Sequence, residues 1–144
     1  MASKLVLDTA TVVAAVRSSR GAAAKLLVRV LNGDFVSCLS TALALEYEAT
    51  ALRPEHLEAG ELSHAEALNL LDALVSVSEP VTPFLKTRPG SPDPNDDLVL
   101  EAAINGHAEL IVSPNYADLA EPAKSWGISV ASAGLLLSQL EPKT

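Results

Sequence analysis

Aromatic side chains and positive charge are what this chain has least of. Phe, Trp and Tyr make up 3% of its 144 residues, and 10 Lys and Arg face 18 Asp and Glu, a formal net charge of −8. With a pI near 4.7, the chain lacks the basic footprint that nucleic-acid binders usually carry. Acids gathered around a metal are the exception, because the ion is positive charge that a residue count omits. Cys38 is the single cysteine, so no internal disulfide can form. In its apolar stretch it reads as a small core residue rather than a nucleophile, and a reducing cytoplasmic location is expected. No signal peptide is expected either, since Lys4 is the only early basic residue and Asp8 interrupts the first apolar run. No apolar stretch approaches the roughly 20 residues that span a bilayer, so no membrane association is expected. His56, His64 and His107 are scattered and give no His/Cys ligand spacing, which argues against zinc. There is no Gly-rich phosphate loop and no G-x-S-x-G element, so serine hydrolase chemistry has no support.

What is present is a 49% hydrophobic composition, drawn mainly from Ala, Leu and Val and sufficient for one domain over residues 1–144. Short apolar runs at Lys4–Leu7, Phe35–Leu39, Glu109–Val112 and Ile128–Val130 read as strands, and Val81-Thr82-Pro83 as a short edge strand. Helical stretches separate them: Thr9–Val16, Ala22–Leu31, Ser40 or Thr41 to about Leu52, Ser63–Val77 behind the capping box Ser63-His64-Ala65-Glu66, Pro94–Gly106, and Ser132–Leu140. Residues 55–62 read as a polar connection and 86–95 as a Pro-rich loop, with Asp93 capping the helix that Pro94 opens. Strands alternating with helices predict an α/β fold, a three-layer α/β/α domain with a mostly parallel sheet of about five strands. Ligands of such sheets bind outside the carboxyl ends of the strands.

Four acids fall at that edge. Asp8 ends the first strand, where a buried carboxylate needs a partner or caps the following helix. Glu46 and Glu48 compete, being about 200° apart on a helix and both flanking the apolar direction given by Leu45 and Leu52. Asp96 suits the first turn of its helix, where an acid favours the free N–H groups. Asp97 leads Leu98-Val99-Leu100 on a helix that is apolar almost all round, with Glu101 one turn further as a weaker candidate. Asp118 follows Ser113-Pro114-Asn115-Tyr116-Ala117 and either serves the site or caps a short helix before Pro122. Acids that converge repel one another unless a cation neutralises them, so a divalent metal site is the leading expectation. Arg17, Arg20, Lys25 and Arg29 form the densest basic region, either a solvated face or a contact for phosphates.

Taken in order, these pieces resemble a PIN domain of the bacterial toxin-type (VapC-like) branch. Leu5-Val6-Leu7-Asp8-Thr9 resembles the opening strand with its first acid. Ser40 through Pro54 is similar to the S-x-x-L-x-x-E-Y helix that ends in L-x-R-P, and this selects Glu46 over Glu48. Asp93-Pro94-Asn95-Asp96-Asp97 resembles the D-P-x-D-D element, Ile111 through Leu119 the [TS]-x-[ND]-x-x-D-[FL] loop, and Gly127-Ile128-Ser129-Val130 the final strand. The resemblance implies a Mg²⁺- or Mn²⁺-dependent ribonuclease. Asp8, Glu46, Asp97 and Asp118 would be its catalytic metal ligands, and Thr9, Ser113 and Asn115 would position the scissile phosphate or outer water. It also implies a small antitoxin partner that occludes the cleft, and a homodimer.

Two departures stand out. The family usually has Asn two residues after the first Asp, where this chain has Ala10, and Pro114 removes one backbone N–H from the last loop. They keep open a catalytically weakened or inactive PIN-like binding module. A phosphoryl-transfer or receiver-like α/β domain is the other alternative. A receiver would want adjacent acids after the first strand and a Lys after the last, but Ser3 and Lys4 precede the first strand and Ser132 follows the last. A haloacid-dehalogenase-like site would want a second Asp at position 10, which is Ala10.

Overall fold

The computed structural model describes residues 3–83 and 94–140. The first strand, β1 (Ser3–Leu7), enters the centre of a sheet. Leu5, Val6 and Leu7 are all buried, as expected of a strand covered on both faces. The chain continues through α1 (Thr9–Arg17), α2 (Ala22–Leu31), β2 (Phe35–Leu39), α3 (Thr41–Ala51), α4 (Pro54–Gly60), α5 (His64–Val77), β3 (Glu79–Pro80), α6 (Pro94–Gly106), β4 (Leu110–Val112), α7 (Tyr116–Lys124), β5 (Ser129–Ala131) and α8 (Ala133–Leu140). The five strands are ordered β3-β2-β1-β4-β5, and every pairing is parallel, so the expected "mostly parallel" sheet is parallel throughout. Leu5 pairs with Ser37 on one side and Leu110 on the other, and Leu7 with Val112. The carboxyl ends of β1 and β4 therefore finish side by side.

Local signals explain most boundaries. Ser40 caps α3 by accepting the Leu43 N–H at 3.2 Å. Both halves of the capping box of α5 are present, Glu66 N to Ser63 Oγ at 3.0 Å and Ser63 N to Glu66 Oε1 at 2.9 Å, and these bonds hold the Glu66 carboxyl below its ordinary range. Four expectations need correction. Residues 54–60 are a helix, α4, not a polar connection. Pro54 stands at its first turn with Glu55 beside it, and Gly60 lets it press on α1 so closely that a Cβ there would lie 1.8 Å from the Val16 carbonyl oxygen. The edge strand comes earlier than Val81–Pro83, at Glu79–Pro80, where Glu79 pairs with Cys38 and Pro80 with Leu39. An edge position is where a Pro without an N–H is tolerated. The helix α7 does not stop before Pro122 but runs through it to Lys124. Finally, α3 does not bury the Leu45 direction. Leu45 is 61% exposed, and the buried stripe is Leu43, Tyr47 and Ala51, four residues apart.

Asp93 and most of the loop expected at 86–95 lie outside the described residues. Among the described residues no helix is long and apolar enough to cross a membrane.

Candidate active site

The tightest polar arrangement lies where β1 and β4 end. The Asp8 N–H donates to the Val112 carbonyl at 2.9 Å, and the Thr11 hydroxyl donates to the same carbonyl at 3.0 Å. Asp8 occupies the N-cap position of α1 in extended geometry, yet its side chain makes no capping bond, so the capping account of this acid does not hold. Its Oδ2 instead accepts the Ser113 hydroxyl at 2.6 Å, the short length of a charge-assisted bond. Asp8 is 2% exposed and Ser113 0%. The Ser113 oxygen in turn accepts the Asn115 N–H at 3.0 Å, so the loop after β4 is tied to the acid after β1.

A second tie comes from α3. The Tyr47 hydroxyl donates to the Leu7 carbonyl at 2.5 Å. Burial, and then the nearby charge of Asp8, push the Tyr47 phenol well above its ordinary range, which keeps it a proton donor. Glu46 precedes Tyr47 and is half-buried, its Oε1 accepting the Thr50 hydroxyl at 3.2 Å one turn along the helix. Glu48 is exposed. Burial thus separates the two glutamates that periodicity left undecided.

The helix α6 packs on β1, β2 and β4. It leads into the parallel strand β4, so its first turn must lie at the carboxyl edge of the sheet. That turn carries Asp97, 5% exposed, whose Oδ1 is buried with no hydrogen-bond partner. Leaving such an atom unsatisfied costs about 1–3 kcal/mol. Asp96 and Glu101 on the same helix are also buried, at 7% and 4% exposed. Asp118 lies in the first turn of α7 and is exposed, as is Asn115, which takes the N-cap position without a side-chain capping bond. Thr9 is buried at the start of α1.

The structure therefore joins Asp8, Ser113 and the Asn115 backbone directly, and puts Tyr47 against them. It does not draw the four acids into one cluster. Among the described residues no group of three or more His, Cys, Asp or Glu side chains is placed to hold a metal ion. Ser113 holds Asp8, Thr50 holds Glu46, and Asp118 stands on the rim. The donors nevertheless fit a hard divalent cation in kind. They are all carboxylate oxygens, and the orphaned Asp97 oxygen is the sort of buried atom that a cation satisfies.

Sequence reasoning missed Thr11 and Tyr47 as parts that fix the ends of β4 and β1 respectively. The signal for Tyr47 was the E-Y pair of the α3 motif, read only for its Glu. Ser113, expected to meet phosphate or water, is wholly buried and its hydroxyl is spent on Asp8. The basic residues Arg17, Arg20, Lys25 and Arg29 are exposed. Arg29 pairs with Asp34 at 3.0 Å and Arg17 meets His56 Nδ1 at 2.8 Å.

Comparison with known families bears directly on this arrangement. The profile of the PIN domain matches residues 4–117 and so takes in Asp8, Glu46, Asp97, Ser113 and Asn115, ending one residue before Asp118. No curated protein matches the chain. PIN domains are usually nucleases and generally use divalent metals. A parallel five-stranded sheet, a buried acid at the end of its central strand, and a family match over most of the length agree: the chain belongs to the PIN domain family.

Proposed function

We propose that this chain is a divalent-metal-dependent endoribonuclease and the toxin half of a toxin–antitoxin pair. The observation that carries the catalytic reading is the buried Asp97 oxygen without a donor, on a helix that starts at the edge where Asp8 is fixed. A carboxyl oxygen without a hydrogen-bond donor, on a side chain 5% exposed, is poorly explained as packing and well explained as a cation ligand. Asp8 and Asp97 would hold Mg²⁺ or Mn²⁺, with Glu46 and Asp118 swinging in from α3 and the α7 rim. When bound, such an ion supplies Lewis-acid stabilisation of the phosphoryl oxygens and lowers the pKa of attacking water. The chain's own contribution is positional. Ser113 orients the Asp8 carboxylate, Tyr47 and Thr11 fix the strand ends on either side, and Asn115 presents its amide to the substrate phosphate or outer water.

The toxin role is supported by the motif set of the α3 helix and the loop after β4. An antitoxin carrying a basic side chain into the acidic edge suits a net charge of −8, and a homodimer in the cytoplasm completes the reading. A second reading, a PIN-like binding module with a decayed site, is favoured by Ala10 and by the absence of a closed acid cluster among the described residues. Mn²⁺ titration followed by cleavage of labelled RNA separates the two. The nuclease reading requires wild type to bind Mn²⁺ and cut RNA, and Asp8→Asn and Asp97→Asn to lose both. Equally weak Mn²⁺ binding by all three proteins, with no cleavage, favours the binding module.

A further inference from the structure

The helix α2 carries two apolar stripes. Ala23, Leu26, Leu27 and Val30 are buried and face the core. Ala24, Val28 and Leu31 follow a second stripe at i, i+4 and i+7, and it is only partly covered, with Val28 54% exposed. This second stripe is one wall of a groove of about 250 Å³, and Leu62 and Leu70 stand on the other side. From Ala24 to Leu31 the wall runs about 10 Å at the rise of an α-helix. Polar side chains enter at one end. Ser19, in the turn before α2, and Lys25, near the start of the helix, line the groove. Arg20 lies in the same turn as Ser19. Of the four cations in this region, Arg29 is paired with Asp34 and Arg17 is bonded to His56. Among the described residues Arg20 and Lys25 meet no carboxylate. No side chain caps the start of α2, so its free N–H groups add partial positive charge at that end. In a chain of net charge −8, the sign of the surface reverses here, at the head of an apolar trough.

We propose that this groove binds a free medium-chain fatty acid, with its carboxylate at Lys25 and Arg20 and its acyl chain laid along α2 toward Leu31. The two ends of the trough demand different chemistry. A bare anion would leave the stripe of Ala24, Val28 and Leu31 in water, and a wholly apolar ligand would leave the cations unused. A carboxylate on a straight hydrocarbon chain serves both. The length also decides against larger occupants. A specific protein interface buries roughly 800 Å² on each partner, more than a trough two helical turns long presents. The affinity would come mainly from the chain, since each methylene buried tightens binding about fourfold. The head group would fix the direction in which the chain lies. None of the lining residues belongs to the acidic edge of the sheet, so the proposal stands apart from the ribonuclease reading and does not depend on it.

The test is isothermal titration calorimetry of the full chain with decanoate, in EDTA and below the micellar range. Decanoate should saturate a single site. Octanoate, two methylenes shorter, should bind about 15-fold more weakly. Decyltrimethylammonium, with the same tail and the opposite charge, should bind more weakly than decanoate. Lys25→Gln should weaken decanoate about 2- to 5-fold, and high salt should shrink that loss. Ala24→Phe fills the trough and should abolish binding with an unchanged circular dichroism spectrum. Val28→Asp, at an exposed position, should do the same and serves where Ala24→Phe disturbs folding. Equal affinity for decanoate and decyltrimethylammonium overturns the proposal, as does decanoate binding that survives both trough variants. Two other occupants would also overturn it. Self-association that Val28→Asp breaks, with no uptake of decanoate, assigns the trough to a second copy of the chain. Flotation with phosphatidylglycerol vesicles that Val28→Asp abolishes, again without uptake of free decanoate, assigns it to a membrane surface.

Discussion

Replacing Asp97 by Asn should make the metal-free protein more stable and at the same time remove its response to Mn²⁺. The wild-type carboxylate is 5% exposed and one of its oxygens has no donor, a cost of about 1–3 kcal/mol. Glu101, 4% exposed, stands one turn further along the same helix, and like charges at that spacing add about 0.2–0.5 kcal/mol of strain. Against this, a negative charge near the start of α6 gains about 0.3–1 kcal/mol from the helix dipole. Asn sheds the buried charge but keeps a polar atom in the same place, so only part of the first cost is relieved. The balance favours Asn by about 1 kcal/mol, which for a chain of this length is a rise in Tm of about 2–4 °C. Differential scanning fluorimetry in EDTA reads the first half. The second half is read by adding Mn²⁺. Ligand at a hundredfold excess over its Kd stabilises wild type by about 2.7 kcal/mol, and Asp97→Asn should show almost none of that shift. If Asp97→Asn is less stable than wild type in EDTA, the buried carboxylate is a structural asset. If in addition Mn²⁺ raises the Tm of both proteins equally, Asp97 is no ligand and the reasoning fails.

Three further outcomes follow from the geometry. Ser113→Ala removes a charge-assisted bond to Asp8 and strands the Asn115 N–H. It should lower stability by about 2–4 kcal/mol in urea melts and cut RNA cleavage more than RNA binding, whereas Ser113→Thr should recover part of both. Gly60→Ala drives a Cβ toward the Val16 carbonyl, 1.8 Å away. A backbone atom cannot yield as a side chain would, so a loss of about 1–3 kcal/mol, measured by urea denaturation, is expected although the change is conservative. The Cys38 thiol is pushed up to about 11 by burial first and by Glu79 second. At pH 8 only about 0.1% is thiolate, so iodoacetamide should label it in urea and scarcely at all in the native protein. Rapid native labelling at pH 8 would show that the region between β2 and α6 opens readily.

Where the sequence spoke clearly, several signals agreed. β2 falls at Phe35–Leu39 and α5 behind its capping box because hydrophobic run, cap and stop residues point the same way there. The helix α4 was illegible for the opposite reason. His56, Glu55, Glu58 and Glu61 give it no apolar stripe, and it holds to the molecule through Leu57 and the close approach at Gly60, which are tertiary facts. The apolar direction of α3 was misread because Leu45 looks like a core residue, whereas Tyr47 wins the interior by reaching the Leu7 carbonyl. No hydrophobicity count ranks a tyrosine above a leucine for that. At the edge, the positions of Asp8 and Asp97 could be read from the strand and helix that carry them. That Ser113 bonds Asp8 could not, because the two are 105 residues apart and meet only through the β1–β4 register.

The edge divides into a rigid half and a loose half, and this constrains how a metal would be held on the proposed reading. Asp8, Ser113, Thr11 and Tyr47 are buried and cross-bonded, so one ligand direction is set before any ion arrives. Glu46 is tied only to its own helix, and Asp118 is exposed. Bringing these two inward requires breaking a hydrogen bond and ordering long side chains, at about 0.5–1.5 kcal/mol for each side chain immobilised. The observed affinity should therefore fall short of what four preorganised carboxylates would give. Substitutions on the two halves should then differ in kind. Asp8→Asn should abolish Mn²⁺ binding, whereas Thr50→Val, which frees Glu46 from its helix without touching the site, should tighten it. Tighter binding by Thr50→Val, seen by isothermal titration calorimetry, would place Glu46 among the ligands. Unchanged binding would leave Glu46 on α3 as a surface acid and reduce the site to Asp8, Asp97 and the rim.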